Sequence, residues 1–155
     1  EGSPEFVDAY LRALKWSEQF PKTHSHIDKW INCVVEDVKY TGSIEAAATN
    51  ESGTRTAFIA SDVFAALQYT QYTKDDLSIR LLGLLAHEDG WIEYFNTTIV
   101  RIFPRGEYIF PREGYIKATE REVEALEEMG AKEDFIESNR IEIRDCIARV
   151  HFLCK

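Results

Sequence analysis

The chain is short of most features that announce a function. Cations are in the minority: 18 Lys and Arg stand against 27 Asp and Glu, a net charge of −9. That balance disfavours a sequence-independent grip on a phosphate backbone, which needs clustered Lys and Arg, so nucleic acid is not an expected partner. No apolar run approaches the roughly 20 residues that cross a bilayer, and no signal-peptide pattern is visible; no membrane association is expected. Glycine and proline are sparse, at 8 and 4 of 155 residues, which argues against disorder and against an all-β design rich in tight turns. The 3 cysteines, Cys33, Cys146 and Cys154, are odd in number and match no zinc spacing. They read as buried free thiols of an intracellular protein, cytoplasmic or nuclear. Finally, no GxSxG, HExxH, P-loop or dinucleotide glycine pattern occurs. No cofactor, metal or catalytic residue is expected on motif grounds, although a triad can assemble from distant positions.

What the chain does have is helical periodicity. Its length suits one domain, able to bury about two-thirds of its unfolded surface. Gly2-Ser3-Pro4-Glu5-Phe6 resembles translated cloning sites, so residues 1–6 read as a vector-derived leader and residues 7–155 as a single helical domain excised from a larger protein. Val7, Tyr10, Leu11 and Leu14 predict a first helix that Pro21 stops. Ser25 reads as the cap of a second, with a stripe of Ile27, Trp30, Ile31, Val34, Val35 and Val38 that Gly42 and Ser43 interrupt. Residues 44–48 read as a short continuation and 50–54 as a loop.

The densest apolar material lies in 55–85, in two blocks. Ser61 caps the first, with Val63, Ala66 and Leu67 on one face. Thr73 caps the second, where Leu77, Leu81, Leu84 and Leu85 form a broad stripe, and His87-Glu88-Asp89-Gly90 reads as its end. Residues 91–103 suit a further helix or a strand. Residues 107–117 flank a Pro and Gly turn and predict a β-hairpin. Thr119 with Glu122 reads as a capping box opening a helix lined by Val123, Leu126 and Met129 and stopped by Gly130. Ser138 caps a last helix with Ile143, Cys146, Ile147, Val150 and Leu153. The expected architecture is mainly α: a compact body of about six helices with one small β-hairpin near residues 107–117.

Three families share local features with this chain. Arg55 and Asp62, seven positions apart and followed by Val63, Ala66 and Leu67, resemble the loop and third helix of a histone fold, which implies a subunit heterodimerising in chromatin or transcription machinery. The interruption at Gly42-Ser43 departs from that pattern, and about half the chain lies beyond it. Residues 50–59, Leu67 and LSIRLLGLLAH resemble the passage between armadillo-type repeats, without a steady repeat period. A hairpin after helices from Lys74 on is similar to the wing of a winged helix, which would turn Arg105, Arg112 and Lys117 toward phosphate.

Three constellations carry reactive groups. His24 and His26 flank Ser25, and residues two apart lie on different helix faces. His87-Glu88-Asp89 joins a base to two carboxylates, and reads equally as the polar end of a Leu-rich helix. His151 and Cys154 share a helical face but lack further ligands. Trp30 and Trp91 read as core. Trp16, Tyr69 and Tyr72 stray from their apolar stripes and suit interface anchors, to which the histone-like pair adds Arg55 and Asp62. The expected function is protein–protein interaction, a scaffold or adaptor domain whose partner is another protein. Homo- or heterodimerisation is compatible with it.

Overall fold

The computed structural model describes residues 1–37, 46–51, 54–61, 63–65, 74–97, 112–131, 133, 136–137 and 140. Most of these are helical: α1 (Pro4–Ser17), α2 (Pro21–Trp30), α3 (Lys74–Thr97) and α4 (Arg112–Glu128). Three short strands, β1 (Cys33–Asp37), β2 (Ala46–Glu51) and β3 (Thr54–Ala60), form one mixed sheet in the order β1-β3-β2. β1 runs parallel to β3, in a register that sets Cys33 against Thr56 and Asp37 against Ala60. β2 and β3 are antiparallel, with Glu51 opposite Thr54. Among the described residues, no helix is long and apolar enough to cross a membrane.

Helix α1 starts earlier than its periodicity suggests. Ser3 is the N-cap, its Oγ accepting from Phe6 N at 3.2 Å, and Pro4 takes the first turn, where a missing N–H costs nothing. Residues 1–6 pack onto the rest of the fold. Phe6 is a core side chain, packed edge-on against Phe64 with ring centroids 5.1 Å apart. The terminal ammonium of Glu1 donates to Val34 O at 2.6 Å, and Glu36 N donates to Glu1 O at 2.7 Å. The buried stripe of α1 is therefore Phe6, Ala9, Ala13 and Ser17, and Leu11, expected inside, is 56 % exposed. Alanines signal burial weakly, but on α1 they permit close approach to α3.

Pro21 opens α2 rather than only closing α1, and Ser25 lies inside the helix instead of capping it. Phe20, the residue at the cap position, supplies no side-chain hydrogen bond. Glu128 at the end of α4 does so from a distance, accepting from Lys22 N at 3.1 Å and Thr23 N at 2.8 Å. Its carboxylate meets the positive end of the α2 dipole.

The apolar stripe that runs through Ile31, Val34 and Val35 is not one helix. α2 ends at Trp30, Ile31 is extended, and β1 begins at Cys33. The Asn32 side chain ties this break to β3, its Oδ1 accepting from Arg55 N at 3.0 Å. Ile31, Val34 and Val35 are β-branched, or partly so placed, and fit a pleated surface as well as a helix face. The 50–54 region expected as a loop carries the ends of β2 and β3; only Ser52 and Gly53 separate them in sequence, the length a tight hairpin takes.

α3 is the hub, packing on α4, α1, α2 and the sheet. Leu81, Leu82, Leu85 and Ile92 are buried along it. It does not stop at Gly90. That glycine is helical, and a Cβ there would lie 2.7 Å from Ala118 Cα of α4. It marks a close helix crossing, not a left-handed cap. Residues 91–97 accordingly continue α3. Tyr115–Lys117, expected in the second arm of a hairpin, lie inside α4, where a Cβ on Gly114 would collide with the Trp91 ring at 2.4 Å. Thr119 is likewise interior, donating from Oγ1 to Tyr115 O rather than capping. Gly130 does end α4, at φ 69°, with Gly130 N on Glu127 O and Ala131 N on Leu126 O. This is the paired bonding of a Schellman stop.

These strands and helices differ from the three family likenesses. A histone fold needs a long helix where β1 stands, and a loop where β3 holds Arg55. Residues 50–59, taken for a repeat junction, are largely strand. The expected wing is helix α4 in its second arm. Gly42, Ser43, the first arm at 107–111, and the last helix with Ser138, Cys146, His151 and Cys154 lie outside the described residues.

Candidate functional site

The His87-Glu88-Asp89 cluster falls in the middle of α3, so three consecutive side chains fan out over more than half of the helix circumference. His87 and Asp89 engage α4. Trp91 Nε1 donates to His87 Nε2 at 3.2 Å, and His87 Nδ1 lies 3.2 Å from Glu122 Oε2. An indole N–H only donates, so Nε2 is the acceptor and the imidazole proton sits on Nδ1, facing Glu122. The Tyr115 ring closes over the imidazole edge-on, with centroids 5.8 Å apart.

Asp89 is 0 % exposed, and its Oδ2 takes a hydrogen bond from Arg121 Nη1. The other guanidinium arm binds Glu93, which also pairs with Lys117 at 3.3 Å. Burial pushes the Asp89 carboxyl up to about 6, with the Arg121 charge and hydrogen bond pulling the other way. For Glu93 burial also works upward, but Arg121 and Lys117 overcome it and hold the carboxyl below its usual range. Across the seam, burial and then the Arg121 charge keep His26 below the ordinary imidazole value.

Glu88 behaves differently. It shares the stripe of Leu81, Leu85 and Ile92 and is 4 % exposed. Burial raises its carboxyl to about 7, opposed by His87 and reinforced by Glu122. No described cation forms an ion pair with it.

Chemically, the cluster is turned inward. The lone pair that would make His87 a base is taken by Trp91, and the Asp89 and Glu93 charges are matched by Arg121 and Lys117. Two surface concavities formed by described residues lie along residues 12–19 and among Lys22, His26 and Arg121; neither is lined by His87, Glu88 or Asp89. The network ties α3 to α4. His24 and His26 are directed apart: His24 Nδ1 is 2.8 Å from Ser17 Oγ, while His26 looks toward α4.

Of the interface candidates, Trp16 is half-buried at the end of α1, its ring 4.7 Å from that of Phe20. Arg55 is a strand residue whose Nε donates to Asn32 Oδ1 at 3.2 Å and whose guanidinium lies 5.8 Å from the Trp30 ring centroid. Asp62, the partner that the histone-like spacing assigns to Arg55, lies outside the described residues, as do Tyr69 and Tyr72. From sequence Phe95 is one of the apolar positions of the 91–103 segment and not an interface candidate. It is 40 % exposed and stacked on Trp91 at 5.5 Å, with Tyr94 at 5.8 Å. Its placement one turn after Trp91 is legible in the sequence, but its exposure is not. No family model, curated protein or solved structure matches the chain.

Proposed function

We propose that the chain is a protein-interaction domain, a helical adaptor or scaffold module that binds another protein. The observation that supports this most is the aromatic ledge at the end of α3. Phe95 stands 40 % exposed on the buried Trp91, braced by Tyr94. A rigid aromatic on a fixed base buries area at little entropic cost, and aromatic anchors dominate the energetics of protein interfaces. His87, Asp89 and Glu93 nearby are engaged in joining α3 to α4, which leaves shape and apolar surface as the means of recognition at the ledge.

Affinity capture with the wild-type chain and with Phe95→Asp tests the reading. An anchor of this kind contributes about 2 kcal/mol or more, about thirtyfold in affinity. Proteins retained by the wild type should be lost by the variant, with far-UV circular dichroism and thermal midpoint unchanged. Retention of the same proteins by both, or of none by the wild type, contradicts it.

A further inference from the structure

Several basic side chains of this acidic chain are spent internally. Arg12, Lys22, Lys117, Arg121 and Arg140 each pair with a carboxylate. Lys29 and Arg55 have no such partner among the described residues. They flank one indole instead, the Lys29 Nζ 4.7 Å and the Arg55 Cζ 5.8 Å from the Trp30 ring centroid. Trp30 is half-buried at the last position of α2, so the ring is fixed from below by the core and open at its rim.

Arg55 is held ready as well. Asn32 Oδ1 accepts from both Arg55 N and Arg55 Nε, at 3.0 and 3.2 Å, which fixes the strand end and the inner edge of the guanidinium together. The outer edge, Nη1 and Nη2, has no hydrogen bond or ion pair among the described residues. A planar fork clamped on one side and set near an indole presents two parallel N–H donors, the geometry that takes a carboxylate bidentately. Because the side chain is already ordered, little of its rotamer entropy remains to be lost on binding.

We propose that Trp30, with Arg55 and Lys29 beside it, is a docking point for an acidic segment of a partner protein. One carboxylate is taken by the Arg55 fork and a second charge by Lys29, while the aliphatic part of the segment lies on the indole rim. Two cations suit a pair of carboxylates. They are too few to hold a polyphosphate chain against a net charge of −9. The proposal specifies partner chemistry for the protein-binding reading, but it rests on residues other than Phe95, so the two can fail separately.

The test uses the full chain, 15N-labelled, titrated with acetylated hexaglutamate and followed by NMR. The expected shifts centre on the Arg55 Nε–H, the Asn32 side-chain amide and the Trp30 indole N–H, and they weaken with salt. Arg55→Lys keeps the charge but loses the fork and should weaken binding about tenfold; Asn32→Ala, which unclamps the fork, should weaken it about threefold. Phe95→Asp should bind hexaglutamate as the wild type does. Shifts centred elsewhere, affinity unaltered in Arg55→Lys, no binding at millimolar peptide, or tighter binding of oligothymidylate than of hexaglutamate would each overturn the proposal.

Discussion

Replacing Glu88 with Gln should make the protein more stable at neutral and alkaline pH, and by an amount that depends on pH. Glu88 is an acid on an apolar stripe, and burial lifts its carboxyl from 4.5 to about 7. Below pH 4.5 the group is protonated whether the chain is folded or not, and it contributes nothing to the pH dependence. Between pH 4.5 and 7 the unfolded chain releases the proton while the folded chain keeps it, so stability falls as pH rises. The slope approaches 1.4 kcal/mol per pH unit, and above pH 7 the accumulated loss levels at about 3 kcal/mol. Gln has nearly the same shape and no charge to desolvate, so it escapes the loss. Urea unfolding followed by far-UV circular dichroism at pH 4.5, 6, 7 and 8 measures the difference. The variant should match the wild type at pH 4.5 and gain up to about 3 kcal/mol by pH 8, with an unchanged urea slope. A difference independent of pH, or a variant weaker at pH 8, would refute the claim that an uncompensated buried carboxyl sits on this face.

Glu128→Ala should remove the cap that α4 lends to α2, costing about 1 kcal/mol at pH 7. Here the sign is opposite to that of Glu88. Burial favours protonation, but the amides of Thr23 and Lys22 hold the carboxyl below its usual range, so its contribution is present above pH 4.5 and disappears as acid protonates the folded carboxylate. Urea titrations of the two proteins at pH 7 and pH 3 check this, and equal differences at both would count against a charged cap. Gly90→Ala gains about 1 kcal/mol of helix propensity, yet places a Cβ 2.7 Å from Ala118 Cα. Forcing α3 and α4 apart should outweigh that gain and destabilise by about 1–3 kcal/mol; a thermal midpoint equal to or above that of the wild type would contradict the close crossing.

How much of this was legible beforehand depends on the range of each signal. Local signals read well. Gly130 ends a helix because only its own backbone must turn, and the Leu77–Leu85 spacing names a helix because the stripe lies within one element. Signals with two meanings did not. A glycine after His87-Glu88-Asp89 looks like a stop; only the presence of Ala118 across the seam shows it to be a crossing point. Ile31, Val34 and Val35 keep helical spacing and pleat equally well, and what decides is Arg55, 23 residues away, bonding to Asn32. Ser25 looks like a cap, but Glu128 does that work from 105 residues away. At the candidate sites, Arg55 stood out through its spacing to Asp62, whereas the structure joins it to Asn32 and Trp30. Phe95 reads as one more apolar position of residues 91–103, and with the helix closed at Gly90, seven residues before its end at Thr97, nothing marks it as exposed.

The central claim is that His87 and Asp89 of α3 are held against α4 rather than open to a substrate. The proton position on His87 tests it most directly. Long-range 1H–15N correlation spectra at pH 7.5 should show the imidazole proton on Nδ1, with Nε2 shifted as a hydrogen-bond acceptor, and Trp91→Phe should remove that shift. A proton on Nε2, or an imidazole whose signals are the same in Trp91→Phe, would show that the ring is free to act elsewhere and that the seam is not what holds it.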